Sequence, residues 1–210
     1  MKESDSKLAA FTPQESWQAI HTTMDKARSS MYVAGTATIL LLWGVISALG
    51  FTAQYVFETL APDLTLPNPW LYPLLWGVLI AAGMAGSAII GHHAGKKNVA
   101  GGAMRSAGIR VFLFWLAVAV AAFFVPGAAG MWTAEAAANI PRVSIGIAAL
   151  GYILYGIMHR PVIAFVGAGI AVAFYAPSYV AGDAAPLLTA GAILVLTALS
   201  AAWIRKSGVL

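Results

Sequence analysis

The sequence predicts an all-α integral membrane protein: a bundle of six transmembrane helices, preceded by an N-terminal amphipathic helix at the membrane interface. Of its 210 residues, 60% are hydrophobic and only 10% are charged, whereas a typical soluble domain is about 25% charged. The apolar residues also fall into six runs, most of them near the length of about 20 residues that a spanning helix needs. This composition excludes a soluble enzyme, a disordered chain and a disulfide scaffold.

Three segments are expected along the chain. Residues 1–30 form a polar tail with an amphipathic helix, residues 31–204 form the six-helix transmembrane domain, and residues 205–210 form a short C-terminus. Tail and C-terminus are both expected in the cytoplasm.

A helix is predicted to begin at Pro13, because Thr12-Pro13-Gln14-Glu15 has the spacing of a capping box. The side chains that follow at helical spacing on one face are Trp17, Ile20, Met24 and Ala27. This face is expected to contact either the lipid headgroups or the helical bundle.

The six spans are separated by polar or proline-containing segments. They are predicted at residues 29–57, 70–91, 107–125, 141–158, 161–179 and 186–204. Residues 92–105 are glycine-rich and basic and are predicted as a loop, and Pro126 is predicted to end the third span. His159-Arg160-Pro161 predicts a tight turn.

The charges predict the orientation in the membrane. In this topology, all but one of the 12 Lys and Arg residues lie on the side of the termini, and Arg142 is the exception. Half of the acidic residues lie on the opposite side, namely Glu58, Asp63, Glu135 and Asp183. The positive-inside rule therefore predicts a multi-pass protein of the plasma (inner) membrane with both termini in the cytoplasm.

The first two spans share a short repeat. Leu-Leu-Trp-Gly-Val occurs at residues 41–45 and again at 74–78, and Gly50 matches Gly83 at the same offset. Neighbouring spans run in opposite directions, so the repeat would be inverted across the membrane. A bias towards Leu, Trp and Gly explains so short a match equally well.

Histidine is the only metal-binding residue type whose positions converge. With no cysteine in the chain, thiolate metal sites and disulfides are excluded. His21, His92, His93 and His159 all fall on the cytoplasmic side of the predicted topology and are the candidate ligands for a metal or haem. Adjacent helical positions point about 100° apart, which disfavours His92 and His93 as a pair. Interfacial histidines bonded to water or headgroups are the alternative, so no cofactor is predicted.

Aromatic side chains in the middle of the spans are candidates for a ligand pocket. These are Trp43, Trp76, Trp115, Tyr152 and Tyr155. An indole N–H far from either interface needs a partner, which a ligand or a neighbouring helix can supply. The alternative is that these rings only pack between helices.

Small residues predict where helices approach each other closely. Gly83, Ser87 and Gly91 recur every four residues in the second span, and Gly167 and Ala171 do so in the fifth. Such a stripe packs closely on a neighbouring helix of the same chain or of another subunit.

No catalytic or nucleotide-binding motif is recognisable, and no Asp, Glu, Lys or His falls in the middle of a span, where ion-coupled transporters need ionisable groups. A non-enzymatic membrane-embedded accessory, sensor or regulatory subunit is therefore the leading hypothesis. The alternatives are a permease or channel for a neutral or lipophilic small molecule, and a histidine-based metal- or haem-binding protein. The expected partners are the lipid bilayer and either further copies of the chain or another membrane protein. No nucleic acid is expected, because the basic residues are scattered.

Overall fold

The computed structural model describes residues 12–96, 102–133, 136 and 139–207, with side chains described except at 23–34, 95–96, 102–107 and 207. The elements are α1 (Pro13–Tyr55), a π-helical turn (Val56–Leu60), α2 (Pro62–Thr65), α3 (Leu71–Lys96), α4 (Gly102–Ala128), α5 (Ile140–His159), α6 (Pro161–Val180), a 3₁₀ turn (Gly182–Ala184) and α7 (Ala185–Ser207). Within this described part, six helices are long and apolar enough to cross a membrane. The predicted six-span helical architecture is confirmed. The start of the tail, residues 1–11, and the end of the C-terminus, residues 208–210, lie outside the described residues.

The predicted capping box begins α1. The Thr12 backbone N–H donates to Glu15 Oε2 over 2.8 Å, and the Glu15 backbone N–H donates to Thr12 Oγ1 over 3.2 Å. The helix then continues to Tyr55, so the N-terminal segment and the first span form one helix of 43 residues. No proline occurs between Pro13 and Pro62 to interrupt it.

The predicted loop at residues 92–105 is shorter than its composition suggests. α3 extends to Lys96 and α4 begins at Gly102, so both ends of this segment are helical. Glycine inside a helix costs only about 1 kcal/mol relative to alanine, and the segment contains no proline. Residues 97–101, in its middle, lie outside the described part.

Pro126 does not end α4 as predicted; the helix continues to Ala128. Proline has no N–H, so the carbonyl four residues earlier, that of Ala122, loses its usual helical partner. The Ser144 hydroxyl on α5 donates to this carbonyl over 2.7 Å. A neighbouring helix thus satisfies the group that the proline leaves unpaired, as membrane helices commonly require.

The predicted turn between α5 and α6 is confirmed. Arg160 is the only residue between the two helices, and its backbone is extended. Gly156 lies directly against the backbone of Ala164 across this hairpin. Further along, a methyl group on Gly167 would lie 2.8 Å from the Ala149 carbonyl oxygen. Glycine is therefore needed where these two backbones meet.

The helices pack side by side in the order α3, α1, α7, α6, α5 and α4. The core lies between α1, α6 and α7, around Phe51, Val166 and Ile193. α3 and α4 also touch each other, and they are the least buried helices: only 6% of the most apolar stretch of each is buried, against 33% for the spans of α1 and α7. Most of the surface of α3 and α4 is therefore available to lipid or to a partner.

The repeated pentapeptide has a structural counterpart in the α1–α3 pair. Trp43 on α1 covers Gly83 on α3, and Trp76 on α3 covers Gly50 on α1. A methyl group on Gly83 would lie 2.8 Å from the Trp43 ring, and one on Gly50 would lie 2.6 Å from the Trp76 ring. The antiparallel pair is thus locally symmetric, with each tryptophan packed on the other helix's glycine.

Candidate functional site

A polar cavity of about 200 Å³ lies at the end of the bundle where α1 and α6 finish and α5 and α7 begin. We call it the far-end cavity, because the described residues nearest the chain termini lie at the opposite end of these helices. Its lining residues are Phe51, Gln54, Glu58, Pro141, Arg142, Phe174, Ser178, Gly182, Ala185, Pro186 and Thr189. The volume corresponds to about six or seven water molecules at roughly 30 Å³ each.

Gln54 and Glu58 form the acceptor side of the far-end cavity. Gln54 Nε2 donates to Glu58 Oε1 over 2.8 Å, which fixes the orientation of the amide because a reversed amide would place two oxygens together. Gln54 Oε1 is then left buried, with no hydrogen-bond partner in the described part of the chain. A buried acceptor without a partner costs about 1–3 kcal/mol. Because this oxygen has less than 1 Å² of accessible surface, it does not face the open space of the cavity.

Glu58 lies in the π-helical turn at the end of α1. The wider turn is closed by the Ala61 backbone N–H, which donates to the Val56 carbonyl over 2.9 Å. The Thr65 hydroxyl, on α2, contacts the carbonyls of Phe57 and Pro62 at 3.2 Å each, which ties the loop to the turn. Single π-helical turns are rare and often occur at functional sites.

Arg142 also lines the cavity, from the first turn of α5. The Tyr175 hydroxyl on α6 donates to the Arg142 carbonyl over 2.6 Å, which fixes the start of α5 against the end of α6. The Arg142 guanidinium donates from Nη1 to Asn139 Oδ1 over 3.4 Å. A guanidinium has five N–H donors, so this long bond leaves donors for a ligand.

The floor of the cavity is apolar and closed. Phe51 and Phe174 meet there with ring centroids 5.7 Å apart, and both belong to the core of the bundle. Thr189 on α7, which is 2% exposed, adds one polar side chain at this depth. The cavity therefore has polar side chains around its opening and aromatic side chains at its base.

No protein-family model, no curated protein and no solved structure matches this chain.

The arrangement is suited to binding. A carboxylate, an amide and a guanidinium line one space of molecular size above an apolar floor. Glu58 and Arg142 are both exposed, so water partly screens their charges.

The sequence-predicted aromatic residues lie elsewhere, in two groups. Trp115, Tyr152 and Tyr155 pack together between α4 and α5, with Trp115 and Tyr152 ring centroids 4.5 Å apart. Trp43 and Trp76 lie in the α1–α3 pair, where the Trp43 indole N–H donates to Ser87 Oγ over 3.0 Å. Trp76 contacts Phe51, a residue of the cavity floor, with centroids 5.0 Å apart.

The four histidines remain separate from one another, apart from the adjacent pair. His92 and His93 have ring centroids 6.3 Å apart, and His93 Nδ1 lies 3.0 Å from the Ile89 carbonyl of its own helix. His159 stacks on Tyr155 at 4.2 Å, and His21 contacts Trp17. Among the described residues, no three metal-binding side chains come together.

The predicted packing residues occupy different environments. Gly83 and Ser87 both contact Trp43, whereas a methyl group on Gly91 would meet no described atom within 4 Å. Gly167 packs on the backbone of α5, and Ala171 packs at the edge of the core.

Sequence reasoning did not identify the far-end cavity. Its charged residues stand at span ends, where Glu58 is explained as a loop residue and Arg142 as a snorkelling side chain. Two signals could have found it. Gln54 precedes Glu58 by one helical turn, and Arg142 is the single basic residue on the acidic side of the membrane.

Proposed function

We propose that this chain is a non-enzymatic sensor or regulatory subunit of the inner membrane, which binds a small polar molecule in the far-end cavity. The observation that carries the proposal is the lining of the cavity, where the Glu58 carboxylate, the Arg142 guanidinium and the Ser178 hydroxyl come from different parts of the fold. A small polar molecule in this space has both donors and acceptors to bond with.

The charge distribution supports an orientation with the cavity on the outer side. Arg160, Arg205 and Lys206 lie at the opposite end of the bundle, whereas Glu58 and Asp183 lie at the end of the cavity. Basic residues favour the cytoplasmic side. A cavity that opens outwards samples molecules that have not yet entered the cell.

The N-terminal part of α1 supports an interfacial location. Trp17 and Ile20 lie one turn apart and are 64% and 52% exposed, and both precede the membrane-length apolar stretch that begins at Gly35 in the structure. Exposed aromatic and aliphatic side chains on one face of a helix next to a span favour insertion at the headgroup level. We propose that this segment lies at the cytoplasmic interface.

α3 and α4 offer surfaces for a partner. α3 and α4 each pack mainly on one neighbouring helix, and most of their apolar surface is exposed. We propose that a second copy or another membrane protein covers part of them. Intact mass measurement of the protein extracted gently from its native membrane would count such subunits; a monomer alone would contradict this part of the proposal.

Because the chain has no cysteine, a single introduced cysteine can be labelled specifically to test the binding proposal. Ser178→Cys places a thiol in the lining of the cavity, and Asp63→Cys places one on an exposed part of α2 at the same end. In sealed vesicles, we expect a membrane-impermeant maleimide to label both from the outer side. Small polar solutes should slow labelling at Ser178→Cys only.

Replacement of Gln54 by leucine should remove that protection without changing labelling at Asp63→Cys. If a broad set of small ammonium, alcohol, amide and carboxylate solutes leaves labelling at Ser178→Cys unchanged, the cavity is not a ligand site and the proposal is wrong.

A permease for a neutral small molecule is the second candidate function. It is favoured by Thr189 and Thr197, two buried polar residues that extend from the cavity along α7. Thr197 Oγ1 donates to the Ile193 carbonyl over 2.8 Å and packs against Gly44, so this path is closed in the structure. Solute uptake into liposomes that contain the protein distinguishes a permease from a sensor.

A further inference from the structure

We propose that the outer groove between α6 and α7 binds an anionic phospholipid, with its headgroup at Arg160, Arg205 and Lys206. The groove is lined by the exposed residues Phe165, Ala168, Val172, Val195 and Leu199. This inference goes beyond the proposed function, because it concerns the end of the bundle opposite to the far-end cavity. Three features support it: the level of the cationic residues, the apolar surface beside them and the distribution of acidic residues.

The contact between α6 and α7 places the cationic residues at one level. α6 ends and α7 begins at the far-end cavity, so the two helices run in opposite directions. A methyl group on Gly169 of α6 would lie 2.8 Å from the Leu196 side chain of α7. Arg160 precedes Gly169 by nine residues, and Arg205 follows Leu196 by nine. The two arginines therefore lie at the same height along the pair, and Lys206 is next to them.

The outer faces of α6 and α7 form one apolar surface that starts at this level. The inner faces of both helices belong to the core of the bundle, through Val166 on α6 and Ile193 on α7. The opposite faces therefore point away from the core, and Phe165 and Leu199 on them are 77% and 66% exposed. Ala168 follows Phe165 by one turn, and its small side chain leaves room between the two helices. An acyl chain can lie along this groove.

The cationic end of the groove suits a lipid headgroup. Lys206 follows Leu199 by seven residues, or about two helical turns, so it lies on the same outer face of α7. Trp203 is also exposed and lies one turn before Lys206. Tryptophan and lysine are both typical of the level of the lipid headgroups. Charged and aromatic groups at one end and an apolar surface below them match the order of headgroup and acyl chain in a phospholipid.

The distribution of acidic residues determines the sign of the headgroup. α3, α4, α5, α6 and α7 contain no Asp or Glu. A zwitterionic headgroup carries an ammonium beside its phosphate; on these helices the ammonium finds no carboxylate and is repelled by the cations. An anionic headgroup is only attracted, and its phosphate can accept two parallel hydrogen bonds from an arginine. Basic pockets between membrane helices are typical sites for anionic lipids.

The test uses the full-length protein in a neutral detergent and native mass spectrometry, which counts bound lipids. The protein is titrated with dioleoyl-phosphatidylglycerol and, separately, with dioleoyl-phosphatidylcholine, which has the same acyl chains. We expect the first phosphatidylglycerol to bind at least tenfold more tightly, because each cation near the headgroup contributes roughly fivefold in affinity. Glycerol 3-phosphate should not displace it, because this soluble anion gains nothing from the apolar groove.

Neutral substitutions should locate the site. Arg160→Gln and Lys206→Gln should each weaken phosphatidylglycerol binding roughly fivefold. Arg110→Gln is the matched control: Arg110 is on α4, which is separated from α6 by α5, so this change should leave the affinity unchanged. The two lipids are compared on the unmodified protein, so that result decides the matter even if a variant fails to fold.

Three outcomes would overturn the inference. Equal affinity for the two lipids would show that the charge of the headgroup is not recognised. Displacement by glycerol 3-phosphate would show an anion site that does not use the groove. An equal loss of affinity in Arg110→Gln and Arg160→Gln would show an attraction spread over the whole basic end of the bundle. None of these results bears on the far-end cavity, so the proposed function is tested separately.

Discussion

The hydrogen bond between Ser144 and the Ala122 carbonyl should be energetically coupled to Pro126. Pro126 cannot donate to that carbonyl, and the Ser144 hydroxyl lies 2.7 Å from it in the place of the missing N–H. Ser144→Ala therefore leaves the carbonyl without either donor. In a Pro126→Ala background, the new backbone N–H can restore the helical bond, so the same substitution should cost far less.

The size of the expected effect follows from the energies of comparable hydrogen bonds. An unpaired buried carbonyl costs about 1–3 kcal/mol in proteins generally, and side-chain hydrogen bonds between membrane helices average about 0.6 kcal/mol, with a maximum near 1.7. The carbonyl lies near the end of α4 and the serine is only partly buried. We therefore expect Ser144→Ala to lower the free energy of unfolding by about 1 kcal/mol, and by less than about 0.3 in the Pro126→Ala background.

The assay is a double-mutant cycle. Unfolding of the unmodified protein, the two single variants and the double variant is followed in lipid bicelles. The cycle cancels the effects that Pro126→Ala has by itself, namely the space left by the proline ring and the change in helix propensity. Equal costs of Ser144→Ala in the two backgrounds would refute the account of how α4 continues past its proline.

Three further predictions concern packing and the N-terminal cap. Gly50→Ala should lower the free energy of unfolding by about 1 kcal/mol, because its methyl group would lie 2.6 Å from the indole ring of Trp76. Gly77→Ala is the control: the space around Gly77 is open, so this substitution should leave the stability unchanged or raise it. Gly156→Ala should lower the free energy of unfolding by more, about 3 kcal/mol, because its methyl group meets the backbone of α6 instead of a side chain that can move. Thermal unfolding of the three purified variants ranks these costs, and the reverse order would contradict the helix contacts described above. Hydrogen bonds from the Thr12 backbone N–H and hydroxyl hold the pKa of Glu15 below its ordinary value of 4.5, so the cap's contribution is complete above pH 4.5 and is lost as the pH falls through the lowered pKa. Thr12→Ala removes the hydroxyl and keeps the backbone N–H, so it should raise that pKa part of the way towards 4.5 in a carbon-detected NMR titration, and an unchanged value would exclude the side-chain part of the cap.

The spans could be predicted from the sequence because hydropathy and length are local properties. The helix start at Pro13 and the turn at Arg160 were equally local, since a capping box and a proline specify them directly. The ends of α3 and α4 could not be predicted from local sequence. Glycine or proline ends a helix only when no other contact makes up for the lost stability, and at Pro126 the hydrogen bond from Ser144 on another helix replaces the missing one.

The far-end cavity depends on distant residues in the same way. Gln54 and Arg142 are far apart in sequence and line the same cavity only because α1 packs on α7, α7 on α6 and α6 on α5. Hydropathy assigns each of them to a span end and says nothing about their neighbours. The aromatic residues, by contrast, are conspicuous in the sequence, yet Trp43 is fully accounted for by Gly83 and Ser87.

The most direct measurement of the central claim is a high-resolution density map of the protein purified gently from its native membrane. The account predicts a compact, non-water density in the far-end cavity, with a polar atom about 2.7–3.2 Å from a side-chain nitrogen or oxygen of Glu58, Arg142 or Ser178. A map in which the cavity holds only water would contradict it.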